Sequence, residues 1–356
     1  MKFSNLKKNI SLSELTTIKL GGPAEYFFEF TSEEELIEAL TFSKENDLDI
    51  FILGGGSNVI FPDEGFKGLV LKNNIRLIDS NRNNDELLIK AGAGNNWDEL
   101  VRLCVEKGFT GIECLSGIPG SVGAVPVQNV GAYGQEISDT LVSVEAIEIS
   151  TGFKKTFSNE ECNFSYRQSR FKSTDKNKYV ITSVSFLLFR KEPEIKYKQL
   201  SEELPESYFA ENTSFEKRLH IIREAVIRIR KSKSMVIVKN DPDSVSCGSF
   251  FMNPVLNEIE FNLFSESMKS FGYEAPFYKT GSEYKIPAAW LIENAGFKKG
   301  FSENGAGISS NHTLAIVNKS GKTADIINFA KNIQSAVIKK FNIQLLPEPE
   351  MVGCKF

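Results

Sequence analysis

Histidine and cysteine are scarce in this chain. The two histidines, His220 and His312, and the five cysteines, Cys104, Cys114, Cys162, Cys247 and Cys354, form no CxxC pair, HExxH motif or His/Cys cluster. That excludes a dedicated metal site of the zinc type and offers no disulfide framework. The cysteines read as free thiols, and Cys104, set among Val101, Leu103 and Val105, reads as a buried structural one. No apolar run approaches the roughly 18 residues of a membrane span. The start, MKFSNLKKNISLSEL, has neither a long apolar core nor a small-residue cleavage signal, so the expected location is the cytoplasm. A dominant charge is also missing. A formal net charge of -4 creates no global basic field, so neither nucleic acid nor a membrane surface is an expected partner. Small anionic ligands held by local basic groups stay open.

What the chain does have is length and glycine. Its 356 residues, 41% of them hydrophobic, suffice for two or three packed cores. The first half alternates strand-like runs with glycine-rich turns, which points to an α+β or α/β arrangement. Tyr26 to Phe30 reads as a strand, and Ser32 with Glu35 three residues later is a capping-box signature for the next helix. Ile50 to Leu53 reads as a buried strand broken by Gly54-Gly55-Gly56-Ser57-Asn58. Leu87 to Lys90 opens into Ala91-Gly92-Ala93-Gly94, with a helix expected from Trp97 to Glu106. The segment from Ser116 to Gly134 is too irregular for either regular structure. Alternating apolar residues return at Leu141 to Ile149 and Val180 to Phe189. Lys191 to Phe215, broken by Pro193 and Pro205, reads as a surface loop with some helix. Leu219, Ile222, Val226 and Ile229, and then Ile326, Ile327, Ala330, Ile333 and Val337, recur at helical spacing, and these two helices are expected to frame a smaller α+β domain.

The commoner nucleotide motifs fail. Trp97 stands where Gly92-x-Gly94 would need a third glycine, and Ile316 stands where Gly321-Lys322-Thr323 would need the leading glycine of a P-loop. One glycine-rich loop alone would read as a tight turn. Three together, with Ser57, Asn58, Gln128 and Asn129 as hydrogen-bonding side chains, favour a dinucleotide whose diphosphate is cradled by backbone N–H groups.

These loops, together with Tyr166-Arg167, Gly248-Ser249-Phe250-Phe251 and Glu348-Pro349-Glu350, resemble the UDP-N-acetylenolpyruvoylglucosamine reductase (MurB) family, from about Thr17 to Gly353. The resemblance implies an α+β chain whose two-part FAD-binding region is of the vanillyl-alcohol-oxidase/PCMH type, with a smaller substrate-binding domain. The implied partition is 1–72 and 73–213 for the FAD-binding subdomains and 214–340 for the substrate domain, with the tail 341–356 returning to the active site. Neither histidine lies in the early loops, so the FAD is expected to be noncovalent, with NADPH as hydride donor and a monomer as the working form. Gly54, Gly55, Gly56, Ser57, Asn58, Gly117, Pro119, Gly120, Gly123, Ala124, Gln128, Asn129, Gly131, Ala132 and Tyr133 are the implied FAD-binding residues.

The same resemblance assigns the chemistry. Arg167 becomes the cation beside the substrate carboxylate, Ser249 the proton donor to the substrate carbon, and Glu350 a protonated or hydrogen-bonding carboxyl at the enolate; Glu348 is left structural. Ser249 lacks the G-x-S-x-G setting of a hydrolase nucleophile. Tyr166, Tyr197, Lys233, Asn253 and His312 are implied substrate contacts, although Tyr197 reads equally as a surface tyrosine. The run Arg228, Arg230, Lys231 and Lys233 otherwise reads as a solvated helix end favoured by the helix dipole. Ser234-Met235 stands where many relatives carry Leu-Pro, and Met252 where lysine is frequent. A flavin oxidase of the broader fold and a nucleotide-binding protein without catalysis are the alternative readings.

Overall fold

The computed structural model describes residues 5–354 and 356, so the first four positions of the 1–72 segment and position 355 of the tail lie outside the described residues. The chain divides into two compact units. The first is Met1–Ile10, Ala24–Gly56 and Phe66–Val236; the second is Ser11–Pro23, Ser57–Gly65 and Ile237–Phe356.

In the first unit, Pro23–Phe30, Phe66–Asn73 and Ile50–Leu53 are consecutive neighbours in one sheet and pair in parallel. Parallel strands need a crossover, and helix Glu33–Glu45 provides the one from Pro23–Phe30 to Ile50–Leu53, which flank Phe66–Asn73. Ser32 caps this helix by accepting from the Glu35 N–H at 3.2 Å. The Glu35 carboxylate reaches the Thr31 N–H at 2.6 Å, one residue before the Ser32 N–H that a capping box would use. Leu36, Ala39 and Leu40 bury its inner face on Phe28, Phe30, Leu69 and Leu71.

A second sheet of this unit is antiparallel, in the order Lys154–Ser158, Leu141–Glu148, Tyr179–Phe189, Glu86–Gly92, Ile78–Asn83. Helix Trp97–Glu106, capped by Asn96, packs into the same core, where Trp97, Val101, Val105, Val184 and Phe186 are all buried. Each such large side chain contributes roughly 1.5–3 kcal/mol on burial. The indole N–H of Trp97 is not wasted, since it donates to the Leu115 carbonyl at 3.1 Å.

The second unit holds an antiparallel sheet ordered Ser246–Ser249, Ala315–Asn318, Ala306–Ile308, Ser302–Glu303. Helix Thr323–Phe341 buries Ile326, Ala330, Ile333 and Val337 in a core with Phe250, Phe251, Ile292 and Ile308. Helix Phe215–Ser232, by contrast, buries Ile222, Ala225, Val226 and Ile229 on Cys114, Leu200 and Leu204 in the first unit. The two helices therefore do not share a domain: spacing reveals a buried face, not the core that receives it. The segment before the latter helix carries the short helices Lys198–Glu202 and Glu206–Phe209.

All five cysteines are free thiols, and burial pushes those of Cys104, Cys162 and Cys247 up to about 12, which keeps them inert at neutral pH. Among the described residues no helix is long and apolar enough to cross a membrane.

One ion-pair group ties the crossover helix to the antiparallel sheet. Glu145 accepts from Lys90 at 2.6 Å, from Lys154 at 3.0 Å and from Ser183 at 3.0 Å, and Lys154 also reaches Glu33 at 2.8 Å. Burial pushes the Glu145 carboxyl up, but these three donors and the Lys154 charge outweigh it and hold the group at about 2. A carboxylate held down in this way stabilises the fold above its ordinary range and loses that contribution as the pH falls through about 2. Glu145→Gln is expected to cost roughly 1–2 kcal/mol at pH 7 and progressively less in acid, as read by denaturant melts across that range.

Candidate active site

Strand Ile50–Leu53 ends where the chain must pass very close to the segment 116–134. A Cβ on Gly54 would stand 2.8 Å from Ser121 Oγ, and one on Gly55 only 2.5 Å from the Gly120 Cα. A Cβ on Gly123 would stand 2.5 Å from that of Ala93, and one on Gly94 would stand 2.5 Å from the Asn74 Cα. Carbon atoms repel well before such distances. The glycines thus serve first to let these loops approach closely, backbone against backbone where Gly55 meets Gly120 and Gly94 meets Asn74. Gly117 and Gly120, at φ 71° and 134°, also need the freedom of glycine.

Charged residues that sequence reasoning did not single out support this nest. The Lys72 ammonium donates to the Gly54 carbonyl. Burial pushes Lys72 down against the opposing charge of Glu29. Asp98 accepts from the Gly117 N–H at 2.6 Å and takes both forks of Arg223 at 2.7 and 2.8 Å. Burial pushes Asp98 up, but the Arg223 and Gly117 donors outweigh it and hold the group low.

Arg230 is only 7% exposed, so its part of the basic run is not a solvated helix end. It stands four residues after Val226, on the apolar face, and that spacing was the signal available in the sequence. Its Nη2 donates to the Met235 carbonyl at 2.9 Å, and the Met235 N–H, which a proline there would lack, donates to the Arg230 carbonyl at 2.8 Å; Ser234 itself turns the chain at φ 51°. Burial pushes the guanidinium down, opposed by Tyr133 and Asp98. Its Nε–H is buried without a partner among the described residues, and a Cβ on Gly117 would stand 3.5 Å from that nitrogen. An unsatisfied buried donor costs about 1–3 kcal/mol. A glycine cradle with a buried cation beside it fits the oxyanions and carbonyls of a flavin dinucleotide.

Arg167 belongs to the same unit. Ser165 and Gln168 exchange backbone hydrogen bonds at 3.1 Å, closing a tight turn with Tyr166 and Arg167 at its tip. Arg167 adopts φ 55°, a left-handed backbone that costs an L-residue roughly 1–2 kcal/mol. Its Nη2 donates to the Gly131 carbonyl at 2.9 Å, and its guanidinium centre lies 5.4 Å from the Tyr166 ring centroid. Asn129, at φ 44°, bonds Glu136 and the Ser165 carbonyl, and Tyr133 has φ 51°. Asn129, Tyr133 and Arg167 thus all hold left-handed backbone where the third glycine loop meets the Arg167 turn. Tyr197 meets Tyr133 edge-on at 5.5 Å, and Lys233 donates to Gln199 Oε1 at 2.7 Å.

The remaining candidates lie in the second unit: Ser57, Asn58, Ser249, Asn253, His312 and Glu350. Gly248, at φ 77°, bulges the strand Ser246–Ser249 against its partner. Ser249 Oγ and His312 Nε2 are 3.5 Å apart. The tail returns beside them. Met252 donates to the Leu346 carbonyl at 3.0 Å, Glu348 to the Phe250 carbonyl at 2.8 Å, and Glu350 to the Asn58 carbonyl at 3.0 Å. Glu350–Met351 then pairs in parallel with Val59–Ile60. Asn253 Oδ1 accepts from the Ala288 N–H at 2.8 Å, so one half of that amide supports helix Ala288–Asn294.

Residues 24–154 match the FAD binding domain family model, and residues 241–352 match the model described as UDP-N-acetylenolpyruvoylglucosamine reductase, C-terminal domain. A protein of Thermobifida fusca named UDP-N-acetylenolpyruvoylglucosamine reductase is 40% identical over 358 residues, covering 98% of this chain and 99% of its own. The chain belongs to the UDP-N-acetylenolpyruvoylglucosamine reductase family. A relative of the same name from Salinispora arenicola is 38% identical, covering 96% of this chain and 94% of its own. The crystal structure of the Thermus caldophilus reductase, at 23% identity, shares the fold over 97% of this chain and 99% of that one, with a TM-score of 0.66. The chain is therefore a flavoenzyme, an oxidoreductase of this family, with an α+β fold and an FAD-binding domain.

Gly55→Ala should force the Gly54–Gly56 and Gly120–Ser121 backbones apart and weaken FAD binding about tenfold or more, read as the flavin-to-protein absorbance ratio after purification. Arg230→Met should also lower FAD affinity about tenfold by removing a charge-assisted donor. Because the same change deletes an unsatisfied buried donor, the apoprotein should melt no lower than wild type.

Proposed function

We propose that this chain reduces UDP-N-acetyl-3-O-(1-carboxyvinyl)-glucosamine to UDP-N-acetylmuramate with electrons from NADPH, in the cytoplasm and as a monomer, for peptidoglycan precursor synthesis. The observation that carries the reading is the backbone bonding, within the second unit, of the tail to both Phe250, next to Ser249, and Asn58, through Glu348 and Glu350. Relatives that share 38–40% of their residues with this chain bear the corresponding reductase name. Two FAD-binding subdomains, 1–72 and 73–213, are part of the proposal, supported by separate apolar clusters around Leu36 and around Trp97; the substrate domain, expected from 214, is proposed to begin after helix Phe215–Ser232, which buries its apolar face in the first unit.

When bound, FAD would supply the two-electron chemistry that links NADPH to the vinyl carbon of the sugar ether. The noncovalent cofactor is assigned to Gly54 through Asn58 and to the loop from Gly117 through Tyr133. The protein's own work is positional and electrostatic. The planar fork of Arg167 holds the substrate carboxylate, where negative charge grows as hydride adds. Glu350 contributes a hydrogen-bonding carboxyl at the same developing enolate. Ser249 delivers a proton to C2, which sets the lactyl ether. Tyr166, Tyr197, Lys233, Asn253 and His312 hold the UDP-sugar, with Lys233 a point charge for its diphosphate.

Purified protein should be yellow, bleach when NADPH is added without oxygen, and recolour on adding the enolpyruvyl UDP-sugar. Ser249→Ala should still bleach but recolour at least about a hundredfold more slowly, the range expected for loss of a proton donor. Wild-type protein that bleaches and is not recoloured by the UDP-sugar would remove the reductase assignment. Normal recolouring of the serine variant would remove Ser249 from the chemistry.

A further inference from the structure

We propose that His312 restores the proton of Ser249, so that the two side chains form a two-step proton path to the substrate carbon. This rests on the reading of Ser249 given above. A serine hydroxyl is a very weak acid, and an alkoxide left in a partly buried site is costly unless a second acid neutralises it at once.

Among the described residues, His312 is the side chain bonded to the Ser249 hydroxyl, with Nε2 at 3.5 Å from Oγ. Catalytic hydrogen bonds are often long before substrate binds and tighten around it. Imidazole titrates near neutrality, so it can both give a proton to an alkoxide and recover one from water.

The backbone fixes this pairing. Ser249 stands opposite Ala315 in the strand pair, and the Phe250 N–H donates to the Leu314 carbonyl at 2.7 Å. The turn carrying His312 closes on the same residue, because the Ala315 N–H donates to the His312 carbonyl at 3.1 Å. On either side, the Thr313 hydroxyl is held by Glu293, and the Asn311 N–H donates to Ser309 Oγ at 3.1 Å. The imidazole is therefore presented to Ser249 from a rigid turn, three residues before the serine's own strand partner.

The proton balance is simple. The Ser249 O–H bond breaks as the C2–H bond forms. The His312 Nε2–H bond then breaks as the serine O–H is remade, and the neutral ring takes a proton from solvent. No electrons move in the relay. In this role His312 acts through Ser249 and positions a proton.

The test compares reoxidation of chemically pre-reduced holoenzyme by the enolpyruvyl UDP-sugar in wild type, His312→Gln and His312→Ala. Glutamine keeps a polar contact but cannot shuttle a proton at neutral pH. His312→Gln should slow the maximal rate about a hundredfold with a smaller change in half-saturating sugar concentration. Added imidazole should restore a substantial part of the rate in His312→Ala and none in Ser249→Ala. Either a glutamine variant within about twofold of wild type or an alanine variant of wild-type thermal stability that imidazole fails to rescue would overturn the relay. A wild-type enzyme that the sugar does not reoxidise would instead overturn the reductase reading, and the relay with it.

Discussion

The approach of Gly55 to Gly120 sets the constraint on which the flavin-binding unit depends. With a Cβ at either neighbouring contact the main chains would overlap, so the loop after Ile50–Leu53 and the segment 116–134 can nest only as bare backbone. That contact sets the loop after Ile50–Leu53 against segment 116–134, and Gly123 on Ala93 and Gly94 on Asn74 approach as closely. A surface made of main chain presents closely spaced dipoles to a ligand and little bulk. The cost is conformational entropy, since glycine loses more freedom on folding than any other residue. Lys72 at Gly54 and Asp98 at Gly117 offset part of it by fixing the loop ends with charge-assisted hydrogen bonds.

Buried charge then gives the cradle a direction. Asp98 is neutralised by Arg223 and the Gly117 N–H, whereas Arg230 is satisfied at Nη2 and unsatisfied at Nε. The second unit works on a different principle. It carries a hydroxyl and a carboxyl on short strands whose register is fixed by backbone hydrogen bonds, and an imidazole on the turn that leads into Ala315–Asn318. In both units the chemistry-bearing side chains stand on backbone fixed by hydrogen bonds, and Arg167 accepts an unfavourable left-handed backbone to do so.

Much of this was legible in the residues, for local reasons. Ile50–Leu53 and Trp97–Glu106 form where the apolar run and the helical spacing place them, because those signals depend on a few adjacent residues. The capping box at Ser32 slipped by one residue, since Thr31 offers both an N–H and a hydroxyl to Glu35. The basic run that includes Arg230 reads as a solvated helix end because charge outweighs position in a sequence. The spacing of Arg230 from Val226 already placed it on the buried face. Lys72 and Asp98 carry no motif at all: their roles come from which carbonyl or N–H the fold brings to them.

By itself the sequence determined the local elements, the three glycine loops, the absence of Rossmann and P-loop forms, and the order of motifs that marks the reductase family. Those features depend on neighbouring residues and short spacings. Only the tertiary structure decided which core receives each amphipathic helix, that the glycines serve loop-on-loop contact, that Arg230 is buried, and that His312 stands beside Ser249. These depend on contacts between residues far apart in the chain, such as Gly55 with Gly120 and Ser249 with His312, and local periodicity carries no information about such pairings.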